Sequence, residues 1–256
     1  MGTCREKFLN WSLSRLIYVQ VWLWLVEQLV VAIDGPAGAG KSTAARMIAD
    51  RLQFDFLDTG AMYRCATLAA LRAGVELTDQ SSVAELVRQL DIQLEGRNVW
   101  LNGEDVSLAI RTPSVSSQIG PIADNMQVRR QLSQWQRSWA QDRHVVTEGR
   151  DQGTEVFPDA RCKIFLTASS EERARRRVQE LSAQGIEADY PGILDQQNQR
   201  DRDDARREFG GLRKAADAVE VVTDGMTLEQ VVDRLETIIR PWISTPSPEC
   251  QLDVRS

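Results

Sequence analysis

The sequence is poor in lysine, histidine and paired cysteine, and each shortage closes off a class of function. Only Lys7, Lys41, Lys163 and Lys214 stand among its 31 cationic residues, so arginine carries nearly all the positive charge. The net charge is −6, which leaves no overall pull toward nucleic acid or anionic lipid. Cys4, Cys65, Cys162 and Cys250 are scattered without a C-x-x-C pair. That spacing argues against a disulfide framework or a zinc site and suits the reducing cytosol. His144 is the single histidine, so a catalytic triad or multi-histidine metal site would rest on it alone. It opens the apolar stretch HVVTEG and is expected to be a strand residue near a sheet end. No lysine follows an asparagine, which removes the Asn-Lys-x-Asp signature of guanine-specific switches.

Long apolar runs are missing too, with one exception. Residues 16–33 are apolar apart from Gln20, Glu27 and Gln28, and Trp11, Trp22 and Trp24 crowd the same end. With Arg5, Lys7 and Arg15 ahead of it, the run looks like a signal peptide, but it is short for a membrane span and lacks an A-x-A cleavage site. Because no Met lies between Met1 and Met47, residues 1–29 are read first as an over-extended or poorly docked terminus. An accessory helix and a membrane attachment are the other two readings. At the far end, residues 242–256 are rich in Ser and Pro and are expected to be disordered.

Between these ends, 256 residues with 42% hydrophobic and 27% charged content suit one α/β domain with insertions. VVAID (Val30 to Asp34) is an apolar run ending in a glycine-rich turn, as expected of a strand buried on both faces. Apolar residues at helical spacing follow from Lys41 to Gln53. DFLDTG reads as a strand and turn, AMYRCATLAALRAG as a helix stopped by Gly74, and residues 82–90 as another helix. DIQLEGRNVWLNGEDVS then alternates, with turn signals at Gly96-Arg97-Asn98 and Asn102-Gly103, and predicts antiparallel inserted strands. Helix 126–142, strands HVVTEG and CKIFLTA, helices 170–184 and 191–209, strand VEVVTD and helix 227–240 complete the pattern. The expected class is a three-layer α/β fold with a parallel central sheet and an antiparallel insert.

Gly35-Pro36-Ala37-Gly38-Ala39-Gly40-Lys41-Ser42, followed by Thr43, matches G-x-x-x-x-G-K-S/T between a strand and a helix. Glycines let the backbone N–H groups turn inward around polyphosphate oxygens, and the helix start adds its positive dipole end. Lys41 is the expected neutraliser of the β- and γ-phosphates, and the Ser42 hydroxyl the expected Mg²⁺ ligand. Such a loop gives the class and not the activity. An apolar strand ending in a metal-binding Asp, usual in motor and transport ATPases, is poorly matched by Glu148 or by Leu166-Thr167. A small-molecule or nucleotide kinase is the favoured reading, against a switch that merely holds or hydrolyses ATP. The Arg-rich stretch from Arg173 to Arg213 reads equally well as a solvated, salt-bridged surface. Its nine Arg are nearly balanced by eight Asp or Glu and it has few aromatics, so it does not read as a nucleic-acid patch.

Five segments in order carry a resemblance: IDGPAGAGKST, Leu57 to Arg64 (LDTGAMYR), Glu148 to Ala160 (EGRDQGTEVFPDA), Ser169 to Arg177 (SSEERARRR), and Arg200-Asp201 with Asp204 and Arg207. Together, from about Val30 to Pro241, they closely resemble the bacterial cytidylate kinases of the nucleoside monophosphate kinase family. The resemblance implies a P-loop kinase core over 30–241, an acceptor-binding insert at about 60–125 and a short helical lid at about 176–208. It implies a cytoplasmic, Mg²⁺-dependent monomer that transfers phosphate from ATP to CMP and dCMP. Thr59, Tyr63, Arg64 and Arg150 would hold the acceptor phosphate, and Arg129 and Asp151 would read the cytosine edge. Arg200 and Asp204 would contact the ribose. Lys41, Arg150, Arg176 and Arg207 would stabilise the transferring group, the last two from the lid. Three positions depart from the family pattern. Gly120 stands where a hydroxyl residue near the cytosine is frequent, Thr59 replaces a frequent Ser, and Glu148 replaces a frequent Asp. Ser116 or Ser117 is a possible substitute for the hydroxyl at Gly120, and UMP, AMP or a small metabolite is the alternative acceptor.

Overall fold

The structure, a computed structural model, describes residues 28–244. The readings for residues 1–27 and 245–256 lie outside the described residues. Five strands form a parallel sheet in the order β2-β6-β1-β7-β8, with β1 at Val30–Asp34, β2 at Asp55–Asp58, β6 at Val145–Gly149, β7 at Cys162–Thr167 and β8 at Val219–Val222. β1 sits between β6 and β7, with Asp34 opposite Gly149 on one side and Phe165 on the other. Its run VVAID is apolar until the last residue because it is covered on both faces. Leu29, just ahead of it, is buried too, and its carbonyl accepts from Val145 N–H.

Helices cover both faces. α1 (Lys41–Leu52) and the C-terminal helix (Leu228–Ser244) share one apolar cluster with Val31, Ile33 and Leu166. α2 (Thr59–Arg72), α3 (Gln80–Arg88) and the long helix Met126–Ala140 build the other, around Leu57, Cys65 and Leu132. Local chemistry sets the starts. The Asp58 carboxylate accepts from Ala61 N–H and caps α2, and the Asn125 side chain caps Met126–Ala140 through Gln127 and Val128; such caps are each worth about 1 kcal/mol.

The alternating stretch forms the expected antiparallel insert: β3 (Ile92–Glu95), β4 (Asn98–Leu101) and β5 (Glu104–Asp105). Asn102 and Gly103 both take positive φ, 52° and 80°, as a tight hairpin turn requires. Pro113–Ser117 and Ile119–Asp124 are two short helices, α4 and α5. Neither was legible as an element, since pieces of 5 and 6 residues carry no period. Met126–Ala140 is thus α6, and α7 (Ser170–Ala183) and α8 (Tyr190–Arg206) follow β7. The last helix, α9, continues through Pro241 to Ser244. Among the described residues no helix is long and apolar enough to cross a membrane.

Candidate active site

In an open parallel sheet, ligands collect at the carboxyl ends of strands where the winding reverses. Here that point lies at the ends of β1, β6 and β7. The chain leaves β1 through Gly35, where an added Cβ would lie 1.9 Å from Leu166 O, so only glycine lets the loop pack against β7. Gly38 and Gly40 follow with φ of 77° and 85° before α1 begins. Lys41 is buried, and its Nζ donates to Pro36 O at 2.8 Å. Burial, and next the neighbouring charge of Arg150, push its pKa down to about 7. One residue on, Ser42 Oγ donates to Glu148 Oε1 at 3.0 Å.

Asp34 closes the floor of the site. Its two carboxylate oxygens accept from Gln152 N–H at 2.8 Å and Gly153 N–H at 2.7 Å. This holds a wide turn at Gln152–Val156 directly after Arg150 and Asp151. Burial raises the Asp34 pKa to about 6 despite these hydrogen bonds.

Two arginine–carboxylate clusters face this floor. In the first, buried Arg129 donates from Nη2 to Asp151 Oδ2 at 2.6 Å and to Gly210 O at 3.1 Å, and from Nη1 to Ala123 O at 2.8 Å. A Cβ on Gly210 would fall 1.9 Å from Arg129 Nη2, so this glycine makes room for the guanidinium. Arg129 Nε is buried without a partner, and the guanidinium lies 5.5 Å from the centre of the Tyr63 ring. In the second, Asp204 takes Arg150 Nε at 2.7 Å and Arg207 Nη1 at 2.5 Å, while Arg207 Nε reaches Asp124 at 2.5 Å. Burial alone would raise the Asp204 pKa, but Arg150, Arg207 and Arg200 together hold it below the usual range. Arg200 has its own pKa lowered, first by desolvation and then by Arg150, with Arg207 and Arg64 adding to it. A cavity of about 390 Å³ opens beside Asp124, Arg129, Arg207 and Phe209.

A third group gathers on Asp58. Arg46 and Arg64 stand 3.6 Å from its carboxylate and Arg111 3.5 Å, and Arg64 Nε is a second buried donor without a partner. Thr59 Oγ1 donates to Glu148 O at 2.6 Å, which ties the start of α2 to the end of β6.

The structure therefore brings together Lys41, Ser42, Thr59, Tyr63, Arg64, Arg129, Arg150, Asp151, Arg200, Asp204 and Arg207. It does not bring Arg176 to them, because that guanidinium is held by Glu172 and by the Thr223 hydroxyl and carbonyl. Sequence reading named Glu148 only as a departure from the family pattern and gave no role to Asp34, Asp58 or Arg111. The signal for Glu148 was its place at a strand end, discounted because the expected residue there is Asp.

Buried unpartnered donors suit an anionic, hydrogen-bonding ligand, and the glycine loop with Lys41 suits a polyphosphate. Fold and loop together define a P-loop kinase, with arginine–carboxylate clusters gathered beside the loop. The sequence profile described as cytidylate kinase matches residues 31–241. A cytidylate kinase of Rhodopirellula baltica is 47% identical over 215 residues, 84% of this chain and 94% of its own length. That of Bacillus subtilis is 43% identical over 213 residues, 82% and 95% respectively. A third, from Geobacter sulfurreducens, is 47% identical over 216 residues, covering 83% and 93%. The chain belongs to the cytidylate kinase family and is an enzyme of that family.

Proposed function

We propose that the chain transfers the γ-phosphoryl group of ATP to CMP and dCMP, with Mg²⁺, by direct in-line attack. The observation that carries this is the buried Arg129–Asp151 pair beside the P-loop. Cytosine offers ring acceptors and an exocyclic amine. The free Arg129 Nε–H can donate to the former, and the Asp151 carboxylate can accept from the latter. Uracil would set its own carbonyl oxygen against Asp151, leaving two acceptors opposed in a dry site, which costs about 1–3 kcal/mol or more.

The phosphate of the acceptor is assigned to Thr59, Tyr63, Arg64 and Arg150. Arg200 and Asp204 are assigned to the ribose. Asp204 already has Arg150 and Arg207 as partners, so a missing 2′-hydroxyl leaves no buried charge unpaired. That supports use of the deoxy substrate. Gly35 to Thr43 hold the donor, with Lys41 on its phosphates.

Ser42 and Glu148 fit a magnesium ion, because such an ion keeps few protein ligands and takes most of its shell from phosphate and water. When bound, the ion would neutralise charge between the β- and γ-phosphates. Lys41, Arg150 and Arg207 spread the charge of the transferring group over three cations, which is the larger part of phosphoryl-transfer catalysis. Arg176 joins them only by releasing Thr223, a lid movement of the kind that also excludes water. The acting unit is taken as the monomer, in keeping with the family resemblance. The buried, unpaired thiols of Cys65 and Cys162 suit a cytoplasmic setting.

The test is ADP release from ATP and Mg²⁺ with CMP, dCMP, UMP, AMP or no acceptor. Strong stimulation by CMP and dCMP alone is expected. Acceptor-independent release, or none with any acceptor, would overturn the reading.

A further inference from the structure

The glycine loop is held from α7 by a residue to which the sequence assigned no role. Arg173, in the first turn of α7, is buried although arginine seldom is. Its guanidinium joins three segments. Nη1 donates to Ala37 O of the P-loop at 2.9 Å, and Nε to Ala168 O at 3.0 Å. Nη1 and Nη2 also meet the two carboxylate oxygens of Asp201, on α8, at 3.2 and 2.5 Å.

The same face of α8 carries more. Gln197, one turn before Asp201, places its Nε2 3.4 Å from where a Cβ on Gly38 would lie, and Arg173 Cβ is 3.5 Å from that point. Gln197 Oε1 is buried without a partner. Asp204, three residues beyond Asp201, holds Arg150 and Arg207. Residues spaced 4 and 3 apart share a helix face, so one stripe of α8 touches the donor loop at one end and the acceptor arginines at the other.

We infer that Arg173 and Asp201 are a positioning pair: they fix the Ala37–Gly38 peptide of the P-loop against α8, so that seating the donor and seating the lid are one event. A forked guanidinium is needed, because a lysine ammonium cannot serve two carbonyls and a bidentate carboxylate at once. The inference rests on ATP being the donor, as proposed above.

The experiment compares Arg173→Lys, Asp201→Asn and the double variant with the wild type. Arg173→Lys should raise KM for ATP about tenfold, a cost typical of a lost charge-assisted bond, while KM for CMP stays within about twofold. Asp201→Asn should move the same constant by less, and the double variant should be no worse than Arg173→Lys alone. Calorimetric titration of ATP without CMP should show the same loss of affinity. Unchanged ATP affinity in variants with near-wild-type Tm overturns the inference, as does an equal rise in KM for both substrates. Should Arg173→Lys fail to fold, Asp201→Asn, whose carboxylate is partly solvent-accessible, decides alone. A wild type that binds ATP but responds to no acceptor would sink the kinase reading, and the calorimetric comparison would still judge the pair.

Discussion

The Ser42 hydroxyl donates to the Glu148 carboxylate across 3.0 Å, joining the first turn of α1 to the end of β6. On the proposed function, this pair would hold the magnesium ion that neutralises charge on the donor phosphates. Glu148→Gln is therefore expected to lower kcat by about 10² and to raise the Mg²⁺ concentration for half-maximal rate. ATP binding without Mg²⁺ should change little. Measuring turnover against Mg²⁺ checks this; a Mg²⁺ dependence identical to wild type would remove Glu148 from the metal site.

Lys41 has its pKa pushed down to about 7, by burial first and Arg150 second. In the free protein at pH 8 it is then mostly neutral, yet a polyphosphate beside it favours the charged form. ATP binding at pH 8 should therefore take up about one proton, and Lys41→Met should abolish both that uptake and transfer. Calorimetry in two buffers of different ionisation enthalpy measures it. The sign for stability is also fixed. A depressed lysine pKa costs stability below about 7, and the cost is relieved as pH rises from there toward 10.5. Asp34 acts the other way: its raised pKa gives a contribution present below 3.8 and lost as pH climbs through about 6.

Asp151→Ala leaves the buried Arg129 without its carboxylate, and breaking such a pair typically costs about 3–5 kcal/mol. We expect KM for CMP to rise at least about 30-fold with KM for ATP nearly unchanged. Steady-state kinetics with each substrate varied would show it, and equal losses for both would contradict a role in reading the base.

At Gly120, on α5, an added Cβ would meet nothing within 4 Å. Gly120→Ser should fit without strain and, where the family resemblance sets residue 120 beside the cytosine, would supply a hydroxyl. KM for CMP is expected to fall by about threefold, a modest hydrogen-bond gain, with no gain for UMP. Parallel kinetics with the two acceptors decides; a gain shared by both would place residue 120 away from the base edge.

His144 accepts from Leu29 N–H through Nδ1 at 3.1 Å and stacks on Phe54. Burial lowers its pKa from 6.5. As the lone histidine, it gives one unambiguous NMR titration, expected to fall below 6.5. Its stability contribution is present above 6.5 and is lost as pH falls through the folded pKa. A midpoint above 6.5 would contradict the hydrogen bond to Leu29.

The parts of the site that the sequence made legible are those whose chemistry is local. The P-loop needs consecutive residues, so its pattern survives as text. Arg129 and Asp151 had to be inferred from resemblance, since 22 positions separate them and only the fold pairs them. Arg173 and Arg176 looked alike within one Arg-rich helix, and nothing in their spacing tells which turns inward. Burial separates them: Arg173 reaches under the P-loop, whereas Arg176 lies against Thr223. The short helices at Pro113–Ser117 and Ile119–Asp124 escaped for another reason, because tertiary packing of Val115 and Ile122 holds them and not any repeat.

The turn held by Asp34 has a consequence for timing. Asp34 ends the strand that launches the donor loop, and the same carboxylate grips the segment that carries Arg150 and Asp151. The glycine loop and the Arg150–Asp151 segment are thus registered to one carboxylate when the chain folds. On the proposed function, each catalytic cycle would then need only closure of the lid and insert onto a frame whose spacing that carboxylate already sets.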